Sequence, residues 1–272
     1  MNLKDIIILE TENFIAVNKP RGLVVNKSDT SKGETLQDIV AKYLQTQISK
    51  VTAKTKLTVI QEEFTSRSGI LHRLDKDTTG VVLIAKNPEY FEKIKDFFLT
   101  RKIKKTYFAV VFYDIKKLFD GGDYLYVNLP IARSPRSRQK FAIVKSGRKA
   151  VSRIYLPKKE EFPSVLKSKA SDLDRSAVSY LTEYKGKEFS FVKIKPKTGR
   201  THQIRVHLKA LNHEILGDVI YCGRNQIKFA KDNDFSLMLH ASTLSFNLDE
   251  KNYEISAPFD EKFVTSFEKM WL

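Results

Sequence analysis

The stretch His72-Arg73-Leu74-Asp75-Lys76-Asp77-Thr78-Thr79-Gly80 runs without a break into Val81-Val82-Leu83-Ile84-Ala85. Its second half has no polar alternation and is bounded by a Thr-Thr-Gly turn on one side and by Asn87-Pro88 on the other. An apolar run of that kind between turn residues predicts a strand covered on both faces. Residues 72 to 79 then form the loop entering it, so a carboxylate and a guanidinium stand at the mouth of a buried strand. A loop on a rigid element is a common support for catalytic groups. Taken alone, the fragment favours a plainer reading, a surface ion-pair turn.

Short strand-like runs recur around it: Ile6 to Leu9, Phe14 to Asn18, Tyr107 to Phe112, Tyr124 to Val127, Ala150 to Leu156, Ser179 to Tyr184, Phe189 to Ile194 and Leu237 to Phe246. Several alternate apolar and polar residues, which buries one face. Three helices stand among them. Thr35 to Leu44 carries Leu36, Ile39, Val40 and Tyr43 at helical spacing. Asn87 to Arg101 has Asn87 as N-cap, Pro88 at the first position, and Phe91, Ile94 and Phe98 on one face. In the third, about Thr201 to Leu211, Ile204, Leu208 and Leu211 make a buried stripe. His202, Arg205 and Lys209 share an adjacent face, which puts Arg205 at the edge of the core. Residues 158 to 175 are polar and without period, and read as an inserted loop. Many strands with few helices in mixed order predict an α+β fold around a mixed, largely antiparallel sheet flanked by helices.

At 272 residues and 42% apolar content, the chain is long enough to bury a substantial core. Its longest apolar runs fall far short of the ~18 residues that a membrane span needs. The N-terminal apolar stretch is too short and too acidic for a signal peptide. Cys222, the only cysteine, cannot form an internal disulfide, which fits a reducing cytosol, and it reads as a small buried hydrophobe. The net charge is +16 and is unevenly spread. Between Ala132 and Lys149 stand Arg133, Arg136, Arg138, Lys140, Lys145, Arg148 and Lys149 with no acid among them. From Lys193 to Lys209 the cations are Lys193, Lys195, Lys197, Arg200, Arg205 and Lys209, again with no acid. Such blocks suit a polyanion, and RNA phosphate is a better match than an anionic membrane because neither block has a long amphipathic pattern.

Four motifs in order carry a resemblance that the composition does not. They are Lys19-Pro20-Arg21-Gly22-Leu23; His72-Arg73-Leu74-Asp75 with Thr78-Thr79-Gly80; Lys105-Thr106-Tyr107; and Lys197-Thr198-Gly199-Arg200-Thr201-His202-Gln203-Ile204-Arg205-Val206-His207, followed by Ile215-Leu216-Gly217-Asp218. Together they resemble the RluA-type pseudouridine synthases over roughly residues 13 to 260. The departures are local. Thr79 stands where Ser is usual, Asn212-His213-Glu214 where a Gly-His-Pro run is usual, and Phe112-Tyr113-Asp114 lacks the usual Gly at the exit of the Tyr107 strand. The resemblance implies a pseudouridine synthase catalytic fold over 1–272 as a single domain, without the separate N-terminal RNA-binding module of many relatives. It implies an isomerase of uridines in ribosomal or transfer RNA, working in the cytoplasm with no cofactor, no metal, no membrane and no obligate protein partner, as a monomer.

Pseudouridine forms when the bond from ribose to a uracil nitrogen breaks, the base turns, and a ring carbon is joined instead. The resemblance implies that Asp75 is the essential carboxylate, either bonding to sugar or base or removing a ribose proton. Closure to water raises a carboxyl pKa, so a fixed cation must offset it, and Arg205 matches the family arginine that pairs with the aspartate. Tyr107 matches the tyrosine that packs on the base. Arg73 is the candidate to fill the space of an extruded uridine. His72 and His202 are read as structural or RNA contacts, and Lys19 as a phosphate contact or a support of the site. Arg200, Arg133, Arg136, Arg138 and Lys197 complete the RNA-contacting set. The five histidines include no HExxH pair or cysteine cluster, so no metal site is recognisable. The competing reading is a non-catalytic RNA-binding or ribosome-assembly factor, which would need none of Asp75, Tyr107 and Arg205.

Overall fold

In the computed structural model of the chain, residues 1–28, 33–48, 59–137, 140–163 and 179–272 are described. They divide into two compact units: Met1–Lys104 with Ala241–Pro258, and Lys105–His240 with Phe259–Leu272. The fold is α+β, with six helices among the described residues.

The first unit holds β1 (Ile7–Glu10), β2 (Phe14–Lys19), α1 (Leu36–Ile48), α2 (Val59–Ser66), β3 (Thr79–Ala85) and α3 (Pro88–Leu99). Most of β11 (Leu239–Leu248) and all of β12 (Lys251–Ser256) return to it. Its strands run in the order β1-β2-β3-β11-β12, antiparallel in each pair whose register follows: Lys19 opposite Gly80, Glu10 opposite Ile15, Thr243 opposite Ser256. Every residue of β3 is buried, as its unbroken apolar run predicts. Gly80 is obligatory there. Its φ is +117°, and a Cβ would lie 2.1 Å from the Ala241 carbonyl oxygen. Asn87 caps α3 by accepting from the Tyr90 N–H, and Phe91 and Ile94 are fully buried beneath it. Thr35 and Asp38 cap α1 reciprocally, the Asp38 carboxylate accepting from the Thr35 N–H at 3.0 Å and the Thr35 hydroxyl from the Asp38 N–H at 3.2 Å.

The second unit contains β4 (Lys104–Phe112), β5 (Leu125–Asn128), β6 (Ile131–Arg133), β7 (Phe141–Ile143), β8 (Val151–Tyr155), β9 (Leu181–Tyr184) and β10 (Lys187–Pro196). Its helices are α4 (Gln203–Ala210), α5 (Arg224–Asp232) and α6 (Glu261–Trp271). The strand order is β4-β10-β8-β5, with β9 also on β10 and β6-β7 as a separate hairpin, again antiparallel. Phe191, Phe263 and Phe267 are fully buried in its core, together with Leu208 of α4.

Several expectations need correcting. The third helix begins at Gln203, because His202 adopts a left-handed backbone (φ 55°) and stands outside the helix as its N-cap. His202 therefore does not share a helical face with Arg205. The helix is also buried on more than one stripe: Val206, His207 and Arg205 are buried along with Ile204 and Leu208. Beyond Phe112, the turn that lacks glycine is made by Tyr113 itself at φ 70°, held by its N–H to the Glu188 carbonyl and by the Ser190 hydroxyl on its own carbonyl, each at 2.8 Å. Of the expected inserted loop 158–175, the start is a short turn at Lys159–Glu161, and residues 164–175 lie outside the described residues. The Cys222 thiol donates to the Ile215 carbonyl, and burial pushes its pKa up to about 12, as suits a small hydrophobe.

Candidate active site

Loop 72–78 is pinned from below by the first motif. Lys19 is fully buried, and its ammonium donates to the carbonyls of Pro20 (2.7 Å), Leu23 (2.9 Å) and Lys76 (2.8 Å). An ammonium has three protons, and three carbonyls take them. These contacts suit support of the loop, one of the two roles expected of Lys19. Arg21 adds a bond from its Nη1 to the Asp77 carbonyl at 3.2 Å. These bonds fix the backbone on either side of Lys76, next to Asp75, whose own carbonyl closes a turn with the Thr78 N–H at 3.2 Å. Asp75 is half-buried and Arg73 exposed. His72 points into the fold. Its Nε2 accepts from the Leu83 N–H at 3.1 Å, and its ring packs on Phe98 with centroids 4.7 Å apart, so of its two proposed roles the structural one fits.

In the second unit the motif around α4 builds a second constellation. Gln203 is its knot: the side-chain oxygen accepts from the Thr198 hydroxyl (2.6 Å) and the Arg200 N–H (3.1 Å), and the amide donates to the Val151 carbonyl and the Ser152 hydroxyl, each at 3.0 Å. This fixes the loop that delivers Arg205. Arg205 is buried, and its Nε and Nη2 donate to the two Asp218 carboxylate oxygens, each at 2.8 Å. The side chain of Asp218 is fully buried and also accepts from the Ile220 and Tyr221 N–H groups at 2.9 and 3.1 Å. The guanidinium lies 5.1 Å from the Tyr221 ring centroid. The Tyr221 hydroxyl accepts from the Phe141 N–H at 2.9 Å and bonds His202 Nδ1 at 2.8 Å, which ties hairpin β6-β7 to the start of α4. Tyr107, half-buried on β4, stands opposite Ile194.

Asp218 and Tyr221 carried no assigned role in the sequence. Asp218 stood in a quoted motif, but the signal that selects it, a bidentate pair across thirteen positions, exists only once α4 is folded. His207 was likewise unassigned. Burial pushes its pKa down, so the ring is neutral. Because the Leu129 carbonyl can only accept, Nε2 carries the proton (3.1 Å) and Nδ1 accepts from Ser152 (3.0 Å). Burial also lowers the pKa of Lys105, and a Cβ at Gly199 would sit 3.3 Å from its ammonium.

The basic blocks divide. Arg133, Arg136, Lys140 and Lys145 are exposed on and around hairpin β6-β7, while Arg138 lies outside the described residues. In the second block three of the cations meet acids that lie outside the block: Lys193 pairs with Glu161 at 2.7 Å, Arg205 with Asp218, and Lys209 with Glu214. Lys195 and Lys197 remain exposed, and Arg200 Nε donates to the Lys149 carbonyl at 3.1 Å. Among the described residues, no three histidine, cysteine or carboxylate side chains are grouped as metal ligands.

Residues 13–210 match the family model described as RNA pseudouridylate synthase. The chain belongs to the RNA pseudouridylate synthase family. It is 33% identical to an uncharacterized RNA pseudouridine synthase of Aquifex aeolicus over 79% of its length, spanning 55% of that protein. It is 29% identical to ribosomal large subunit pseudouridine synthase D of Borreliella burgdorferi over its full length, spanning 68% of that relative. The chain thus spans between about half and three-quarters of the curated relatives it matches. The same fold occurs in human RNA pseudouridylate synthase domain containing 4, with a TM-score of 0.65 at 20% identity, covering 98% of this chain and 93% of that one. Human RNA pseudouridylate synthase domain containing 1 gives a TM-score of 0.63 at 22% identity, covering 93% and 82%. The matched span of the pseudouridylate synthase model includes Lys19, Asp75, Tyr107 and Arg205 and stops short of Asp218.

Proposed function

We propose that this chain isomerises uridines in structured RNA to pseudouridine, with Asp75 as the carboxylate that acts on the nucleotide. The observation that carries the reading is the family match over residues 13–210, which includes Asp75, Tyr107 and Arg205 together. Arg205 is assigned the cation that partners the Asp75 carboxylate, and Tyr107 the ring that packs on the target base. Arg73 is assigned the space left by the extruded uridine, because it is exposed on the same clamped loop as Asp75. Arg133, Arg136, Arg138, Lys197 and Arg200 are assigned to phosphate, with His202 linking hairpin β6-β7 to α4. The names of relatives from Borreliella burgdorferi, Zymomonas mobilis and Pseudomonas aeruginosa, each a ribosomal large subunit pseudouridine synthase D, favour ribosomal RNA over transfer RNA. The enzyme is read as a cytoplasmic monomer. No described helix is long and apolar enough to cross a membrane.

The test is carbodiimide labelling of cellular RNA with and without the gene, followed by complementation with Asp75→Asn. A pseudouridine that disappears with the gene and returns only with the unaltered Asp75 supports the reading. A site restored equally by the variant refutes it.

A further inference from the structure

One face of the second unit's sheet has a use that the isomerase reading does not give it. Strands β5, β8 and β10 set Tyr126 opposite Arg153 and Arg153 opposite Lys195, so these three side chains form a row across one face. Two residues along β8, Tyr155 stands in the next row, opposite Lys193. The alternate residues Leu125, Val127 and Ile154 belong to the core, so this row lies on the outer side. Tyr124 joins the same face, its ring 5.3 Å from that of Tyr155 and 5.0 Å from the Arg153 guanidinium. The Lys195 ammonium lies 5.4 Å from the Tyr155 ring.

Cross-strand stacking of this kind can do no more than stabilise a short edge strand. Three observations go further. Tyr126 is 52% exposed and Tyr124 38%, so both rings keep surface open to solvent. Arg153 Nε is buried with no hydrogen-bond partner, and among the described residues no carboxylate pairs with Arg153 or Lys195. Glu161 is held by Lys193, the neighbour of Tyr155 across the strands. Open aromatic rings interleaved with unneutralised cations on a rigid sheet are the chemistry that holds unstacked bases and their phosphates.

We propose that this face is an accessory RNA-binding surface. It takes an unpaired stretch of the RNA, bases stacking on Tyr126 and Tyr124 and phosphates drawn to Arg153 and Lys195. The proposal rests on the reading that the chain acts on RNA, and it adds a preference for a single-stranded segment beside the structured target.

The probe is a short, fluorescein-labelled single-stranded oligouridine, titrated with the full chain by fluorescence anisotropy. Tyr126→Leu and Arg153→Met should each weaken binding about tenfold, the scale of losing a stacked base. Tyr126→Phe should bind as the unaltered chain does, since it keeps the ring and loses only the hydroxyl. A duplex of equal length should compete poorly. Unchanged affinity in Tyr126→Leu, equal losses in the Phe and Leu variants, or full competition by duplex would each overturn the proposal. So would a Tyr126→Leu variant whose only change is loss of a dimer in sedimentation, which would make the face a contact between copies. The oligouridine assay involves no turnover, so a chain that lacks isomerase activity yet binds through Tyr126 would retain the surface and lose the function. A chain that isomerises uridine yet binds oligouridine independently of Tyr126 would do the reverse.

Discussion

Asp75→Asn is isosteric and removes only charge and basicity, so turnover should fall by roughly 10³-fold or more. RNA affinity should stay within about threefold, measured by filter binding. Arg205 needs a subtler change. Arg205→Met would leave the buried Asp218 carboxylate with only two N–H donors, and an uncompensated buried charge costs about 3–5 kcal/mol of stability. Arg205→Lys retains the charge and breaks the fork. Its turnover should fall about 10²-fold with the melting midpoint little changed, the loss expected for a misplaced group. Asp218→Asn should lower turnover to a similar degree without weakening RNA binding, because it breaks the fork that orients Arg205 while leaving an amide oxygen to accept from the Ile220 and Tyr221 N–H groups. If Asp218→Asn raises KM and leaves kcat intact, Arg205 is a phosphate contact. Tyr107→Phe retains the stacking face, so single-turnover RNA binding should hold while product formation slows.

At the scale of elements, what the sequence disclosed followed from local periodicity. Strand β3, the Asn87 cap and the α3 face were legible because each is decided by residues within one turn or one strand. Hairpin β6-β7 was not, since three-residue strands in a basic run carry no period and are set by Tyr221 from 80 positions away. Helix α6 carries a local stripe, Phe263, Phe267 and Met270 behind an Asp260 cap, although it lies beyond the last motif. Within the candidate site the residue types could be read, but the partners of Arg205, Lys193 and Lys19 could not, because each is supplied by a different element. Two element-level outcomes follow. Gly80→Ala must strain a left-handed φ and displace the Ala241 carbonyl, so it should destabilise by about 3 kcal/mol or more in denaturant titration. His207 is neutral in the fold and has its pKa lowered by burial, so its contribution to stability is complete above pH 6.5 and is lost as pH falls below that value. His207→Gln should flatten the acid side of the stability profile by up to one proton.

For the whole molecule, the six cations between Lys193 and Lys209 overstate the field that this block offers RNA, because Lys193, Arg205 and Lys209 are each neutralised by an acid. Log affinity should still fall linearly with log salt, and Arg133→Ala or Lys197→Ala should flatten the slope by about 0.7 to 0.9. Lys193→Ala should leave the slope unaltered; a change equal to that of Lys197→Ala would show that Glu161 releases it on binding. The path of the chain through the two units has a consequence for biosynthesis. The first unit lacks its last two strands until residues 241–258 have been made, and the second lacks Phe263 and Phe267 until residues 259–272 follow. Neither unit can close its core while most of the polypeptide is still being translated. A nascent chain stalled at residue 240 should therefore be open to protease in both halves, with protection of the first unit following residues 241–258 and that of the second following residues 259–272.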